Sequence, residues 1–244
     1  MRVQLCGAFR IDADGRKLEA RLPGRQGRML FAYLALNRAR PVLRDELVGA
    51  LWPGPAPAQA GASLSILLSK VRAAIAPARL EGRSDLGLVL PEHSQVDVEH
   101  ALESVHSAES AVAAGEWRRA WAPSLAAFLV TERRLLADCD APWLDEWRRR
   151  LDDVLVRSLE CHAAACLGTG GAELAAAERS ARRLVELSPY RESGYRILME
   201  ALAARGNVAE AVRVYDEVRR LFRDELGIVS GASLQEVHKR LLDA

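Results

Sequence analysis

The sequence predicts a mainly α chain in two parts: a small α+β region over residues 1–96 and an all-α region over residues 97–244. Three observations predict this. In the first 96 residues, short alternating segments lead into three helical stripes and a closing hairpin. A 34-residue periodicity runs through the second part. The charge divides at the same place: residues 1–96 hold 14 Lys and Arg against 8 Asp and Glu, and residues 97–244 hold 20 against 25. A near-neutral chain of +1 is thus a +6 segment joined to a −5 segment, and the average hides both.

The elements follow in order. Val3, Leu5, Phe9 and Ile11 alternate with other residues around Gly7, a pattern of strands broken by a turn. Asp12-Ala13-Asp14-Gly15 is a hairpin signal, and Lys17-Leu18-Glu19 begins the returning strand. After Pro23-Gly24 the period becomes helical: Met29, Leu30, Tyr33, Leu34 and Leu36 share a stripe that ends near Asn37. Pro41 opens a second helix, with Leu43, Leu47, Val48 and Leu51 at helical spacing up to Trp52-Pro53. Pro53 to Pro57 cannot continue it. A third helix starts near Gly61, and Leu64, Leu67, Leu68, Val71 and Ile75 fall on one face. Its opposite face carries Ser65, Ile66, Ser69 and Ala73, flanked by Lys70 and Arg72. From Arg79 to Leu90 the pattern is a hairpin with a polar tip at Gly82-Arg83-Ser84-Asp85.

A small sheet, three helices and a wing make a winged helix-turn-helix, in which the third helix enters the major groove of DNA and the wing reaches backbone or minor groove. Small side chains on the outer face of the third helix suit close approach. Ile66 and Ala73 would contact thymine methyl groups, or are tolerated surface positions. Arg dominates the cations, the lysines being Lys17, Lys70 and Lys239, and its planar fork suits phosphates and base edges. A solvated Arg-rich surface is the alternative.

The second part is helical and repeated. Ala177 aligns with Ala211, Ala181 with Tyr215, Leu184 with Val218 and Cys161 with Tyr195. Tyr195, Leu198, Leu202, Gly206, Ala211 and Tyr215 fit a tetratricopeptide-like helical pair, with small residues where antiparallel helices touch. Gly115-x4-Ala120 echoes Gly206-x4-Ala211, which places an earlier unit at about residues 100–132. Ala141-Pro142-Trp143-Leu144 begins a long helix to about Cys166, with Trp143 and Trp147 packing together as core.

Several motifs now carry a resemblance. Residues Gly24 to Leu34, Val42 to Pro53 and Ala62 to Arg72 resemble, in order, the three helices of the Streptomyces antibiotic regulatory protein family. Asp140-Ala141-Pro142-Trp143, Pro189-Tyr190-Arg191-Glu192, Ala211 to Tyr215 and Asp224-Glu225-Leu226-Gly227-Ile228 resemble its second half. The resemblance implies an OmpR-type winged helix followed by a bacterial transcriptional activation domain. The chain departs from the family at Ala73, often a second basic residue, and at Gly87-Leu88, usually Gly-Tyr.

The expected function is a sequence-specific transcriptional activator. The expected DNA-binding residues are Ser63, Ser65, Ile66, Ser69, Lys70 and Arg72 on the third helix, Arg25 and Arg28 as backbone anchors, and Arg83 in the wing. The resemblance adds promoter direct repeats, a homodimer on DNA, and recruitment of RNA polymerase with its sigma factor. The loop Trp52, Pro53, Gly54, Pro55 to Gln59 is the candidate polymerase contact, or else a rigid Pro-rich connector. The alternative is a DNA-binding repressor or switch whose helical repeats sense a ligand or peptide. A pure scaffold, which would not bind DNA specifically, ranks below both.

No enzyme is expected. Cys161 and Cys166 lie about 140° apart around a helix, so the two do not share one face, and with His162 they do not supply four converging ligands for a metal. Gly168-Thr169-Gly170-Gly171 lacks the Lys-Ser/Thr of a phosphate loop and reads as a turn between helices. No Gly-x-Ser-x-Gly occurs, and no cofactor is implied. Four scattered cysteines, no signal-peptide core after Met1 and no apolar run of about 18 residues predict a cytoplasmic, nucleoid-associated protein with no membrane contact.

Overall fold

The computed structural model describes residues 1–54 and 57–243. Its elements form two compact units. The first comprises residues 1–101 and 130–152, the second residues 102–129 and 153–243.

In the first unit, β1 (Arg2–Gln4), β2 (Arg10–Ala13) and β3 (Arg16–Lys17) form the meander read from the alternation, but the returning strand ends at Lys17 and Glu19 opens a short 3-10 turn rather than extending it. Asp14 and Gly15 adopt positive φ at the β2–β3 turn, which a tight hairpin demands, and the Gly15 amide donates to the Asp12 carboxylate. Three helices follow: α1 (Gly24–Leu36), α2 (Arg44–Leu51) and α3 (Ala60–Ala74). The stripe Leu64, Leu67, Leu68, Val71 and Ile75 is buried, together with Leu30, Phe31 and Leu34 of α1 and Leu47 of α2. The wing is β5 (Arg79–Glu81) paired with β6 (Asp85–Val89). Gly82 turns it at φ +85°, and a Cβ there would meet the Asp85 carbonyl at 1.8 Å, so only glycine fits.

Two strands were not foreseen. Val42 and Leu43, read as helical, form β4 (Val42–Leu43), which pairs with β6 and closes a three-stranded sheet β4-β6-β5. Helix α2 therefore begins at Arg44 rather than Pro41. Gln95 and Val96 form β7 (Gln95–Val96), parallel to β1, completing a sheet β3-β2-β1-β7. Asp97 then begins α4 (Asp97–Ala113), and its carboxylate accepts hydrogen bonds from the Leu5, Cys6 and Val98 amides at 2.9 Å. It satisfies donors at the end of β1 and the start of α4 together.

The sequence division at residues 96 and 97 does not follow the packing throughout. Residues 130–152, counted with the helical half, belong to the first unit. Leu135 bridges to Cys6, and the Leu136 amide donates to the Leu5 carbonyl. Trp143 and Trp147 are each half-buried and are not the packed pair expected. Trp143 sits edge-on to Tyr33 and donates to the Ala50 carbonyl, while Arg150 lies over the Trp147 ring at 4.9 Å. The reason is competition. The indole N–H needs an acceptor, and the carbonyl at the end of α2 supplies one.

The second unit contains the rest of α4, most of α5 (Trp117–Thr131) and of α6 (Pro142–Thr169), then α7 (Leu174–Leu187), α8 (Glu192–Ala204), α9 (Val208–Leu221) and α10 (Ala232–Leu242). The echo of Gly115-x4-Ala120 in Gly206-x4-Ala211 has a backbone cause. Gly115 donates to Val112 and Glu116 to Ala111; Gly206 donates to Ala203 and Asn207 to Leu202. Both turns are the same left-handed helix ending, and Ala120 and Ala211 are buried just beyond them. A π-turn, Phe222–Leu226, extends α9 and drives Phe222 into the core against Tyr195. The Gly168–Gly171 stretch ends α6 and turns the chain toward α7.

Phe222→Ala is expected to destabilise the helical unit by roughly 3–5 kcal/mol, because the ring is fully buried and its neighbours cannot refill the space. Urea denaturation followed by circular dichroism would measure the change.

Candidate nucleic-acid interface

The exposed face of α3 is the candidate surface. Ile66 is 59% exposed at its centre. Ser69, Lys70 and Ala73 are exposed beside it, and Ser63 is half-buried near the helix start. Lys70 has no side-chain partner among the described residues. A flexible ammonium of this kind is free to reach a phosphate.

Arg72 and Ser65 have other work. The Arg72 guanidinium donates from Nε to the Leu80 carbonyl at 3.1 Å and from Nη2 to the Gly82 carbonyl at 2.8 Å. It therefore ties α3 to the wing turn. The Ser65 hydroxyl donates to the Gly61 carbonyl and accepts from Arg44 at 2.6 Å. Arg44 also approaches the Gly61 carbonyl at 3.3 Å and the Arg83 carbonyl at 3.4 Å. Standing at the first residue of α2, it joins α2, α3 and the wing tip. Arg44 was absent from the expected site. It is the last of a run, Arg21, Arg25, Arg28, Arg38, Arg40 and Arg44, that has no acid among its members, and nothing in that run separates it from its neighbours.

Half of that run is paired with acids within the first unit. Arg38 pairs with Glu99. Arg40 pairs with Glu46, whose other donor is the Tyr33 hydroxyl at 2.6 Å. The Arg40 guanidinium holds the Glu46 carboxyl below its ordinary range, and burial first, then Glu46, pushes the Tyr33 phenol up to about 12. The structure does not bring Arg25 and Arg28 to α3. Arg28 pairs with Asp138 at 3.2 Å, because the start of α1 lies against the returning segment 130–152, and Arg25 is exposed beside it. Arg83 is exposed at the wing tip.

Of the expected polymerase loop, Trp52 caps α2 through its amide to Val48 and is half-buried. Pro53 and Gly54 are exposed, and Gln59 precedes α3 with its carbonyl accepting from Ser63. Pro55 lies outside the described residues.

In the second unit, Cys161, His162 and Cys166 are all buried. His162 lies 3.3 Å from the Ser124 hydroxyl and 3.6 Å from the Cys166 sulfur, and the Trp121 indole donates to Glu173 at 3.0 Å. Among the described residues no group of three His, Cys, Asp or Glu side chains is placed to hold a metal. No helix among them is long and apolar enough to cross a membrane.

The fold is thus a winged helix-turn-helix followed by tetratricopeptide-like helical repeats, the class expected from the sequence. Residues 96–242 match the family model of the bacterial transcriptional activator domain, and the chain belongs to that family. The expected resemblance to Streptomyces antibiotic regulatory proteins holds. The chain is 32% identical to the regulatory protein AfsR of Streptomyces coelicolor, over all of this chain and 24% of that protein. It is 27% identical to the transcriptional regulatory protein EmbR of Mycobacterium tuberculosis, over 98% of this chain and 62% of that one. It therefore spans about a quarter of AfsR and under two thirds of EmbR. The solved structure of Mycobacterium tuberculosis EmbR in complex with a low-affinity phosphopeptide has the same fold, with a TM-score of 0.80 at 24% identity, covering 98% of this chain and 64% of that one.

Burial holds the His162 imidazole below its ordinary value of 6.5, so the folded protein favours the neutral ring. Stability is therefore full above pH 6.5 and falls as the pH drops through the lowered value, where the unfolded chain binds the proton first. Thermal melts from neutral to mildly acidic pH should show a decline that His162→Gln flattens.

Proposed function

We propose that this chain is a sequence-specific DNA-binding transcriptional activator. In this reading α3 lies in the major groove, with Ser63, Ile66, Ser69 and Lys70 toward base edges and phosphates, and Arg83 carries the wing to the backbone. The observation that carries the reading is the α3 face itself: small, exposed, with one unpartnered lysine and an isoleucine turned outward beside a hairpin wing. The regulatory names of its relatives agree with it. Arg72 and Arg44 act as positioning residues that fix the wing and α3 in one geometry.

Promoter DNA carrying direct repeats is the proposed partner, with two copies side by side. The Trp52–Gln59 loop and the acidic helical unit are the proposed surfaces for RNA polymerase and its sigma factor. A cytoplasmic, nucleoid-associated location and the absence of enzymatic activity follow from the same reading. Run-off transcription separates it from the repressor alternative, since an activator yields more transcript and a repressor less.

Mobility-shift titrations at several salt concentrations test the interface. Lys70→Ala should weaken binding to all sequences and lower the salt slope by about 0.9, the loss of one phosphate contact. Arg72→Ala should weaken binding by releasing the wing while the slope stays close to that of the unmodified protein. Unchanged affinity in both variants would remove α3 from the interface.

A further inference from the structure

The buried stripe of α3, Leu64, Leu67, Leu68 and Val71, fixes which of its residues point straight away from the core. At about 100° per residue, Ala62, Ile66, Ser69 and Ala73 fall within about 60° of one another, on the side opposite that stripe. All four are exposed. The outermost ridge of the helix is therefore three apolar side chains and one hydroxyl. Lys70 lies to one side of the ridge, and Ser65 and Arg72 lie to the other.

The chemistry that this ridge offers to a base is narrow. Helix α3 contains no Asn, Gln, Asp or Glu, so the side chains that pair with adenine or accept from cytosine are missing. Its one arginine is committed. Arg72 already donates from Nε and Nη2 to the Leu80 and Gly82 carbonyls, so the fork that would bind guanine faces the wing. Ser65 is committed too, donating to the Gly61 carbonyl and accepting from Arg44. Ser69 brings a single hydroxyl, which donates or accepts and so separates bases poorly. Ile66 is the longest apolar side chain on the ridge, with alanines one turn before it and two turns after it that keep the helix surface low. The C5 methyl of thymine is the apolar group that base pairs display in the major groove.

We infer that Ile66 is the specificity-determining residue of α3 and that it reads thymine through the C5 methyl group, in place of a bidentate hydrogen-bonding code. The inference rests on the proposed placement of α3 in the major groove and names the base that this face takes. Ala62 and Ala73 set how closely the helix approaches, and Arg72 and Arg44 set its geometry, without reading bases themselves.

The probe is a duplex enriched by the full chain from a randomised library. Each thymine is replaced singly by deoxyuridine, which keeps the pairing edge and loses only the methyl group. Fluorescence anisotropy with the unmodified chain should show affinity falling about fourfold at one or more positions, the worth of one buried methyl-sized group. Ile66→Ala should bind the thymine duplex more weakly by at least that factor and should lose its sensitivity to deoxyuridine at those positions. Lys70→Ala should weaken binding to the thymine and deoxyuridine forms alike and keep their ratio. Both positions are exposed, and circular dichroism checks that the variants fold. The inference is overturned if the enriched site is G·C only, if no deoxyuridine weakens binding, or if the loss is as large in Ile66→Ala as in the unmodified chain. Each of those outcomes leaves DNA binding standing. Enrichment of no sequence at all removes the DNA-binding reading itself, and the inference with it.

Discussion

The geometry of the first unit's outer surface depends on one guanidinium. The wing strand β5 is an edge, paired with β6 on one side only, and its turn at Gly82 exposes carbonyls that no strand can satisfy. Arg72 reaches from α3 and donates to two of them, at Leu80 and Gly82. A planar fork can serve two acceptors at once from a single rotamer, whereas a lysine ammonium is a point charge on a mobile stem. The wing is thereby fixed to the helix whose outer face it flanks. Arg44 repeats the device from α2, bridging Ser65, the Gly61 carbonyl and the Arg83 carbonyl. Arg72, expected at the DNA, and Arg44, outside the expected site, both donate to carbonyls of this frame.

The same reasoning changes what the charge partition means. The +6 of residues 1–96 is not a free basic field, because Arg28, Arg38 and Arg40 are paired with Asp138, Glu99 and Glu46. Two of those acids, Asp138 and Glu99, come from the part of the chain counted as acidic. The packing unit therefore contains more negative charge than the sequence segment does. Among the described residues, exposed cations remain on α3, at the wing tip, on the face of the N-terminal sheet and at Arg21.

Much of the fold was legible in the sequence, for a physical reason. Stripes such as Leu64, Leu67, Leu68 and Val71 report burial directly, and Gly115 and Gly206 report left-handed turns that other residues resist. Strands β4 and β7 were not legible, since two residues carry no period and their pairing is set by distant partners. The return of residues 130–152 to the first unit was hidden similarly: Leu135, Leu136 and Trp143 look like ordinary helical-half apolar residues until their hydrogen-bond partners are known. The candidate interface was legible as a face but not as roles. Position on α3 follows from spacing, but an arginine side chain is long enough to turn either to DNA or back to a carbonyl. Sequence does not decide between the two.

With few free cations on α3, counterion release contributes little per copy under the proposed reading, since each neutralised phosphate adds only about 0.9 to the salt slope. Discrimination must then come from fit. The serines and Ile66 offer a face low enough to approach base edges, and contact with a thymine methyl is worth more when the helix cannot shift. In that reading, rigidity supplied by Arg72 and Arg44 serves recognition as well as stability. A unit that relies on fit rather than charge binds singly with modest affinity, and linkage is the physical remedy. Two copies on adjacent sites turn the second binding event into a local one, and affinity rises without a new contact to DNA. A direct repeat with protein surfaces available beside it satisfies that requirement more readily than a single site bound by a more basic helix.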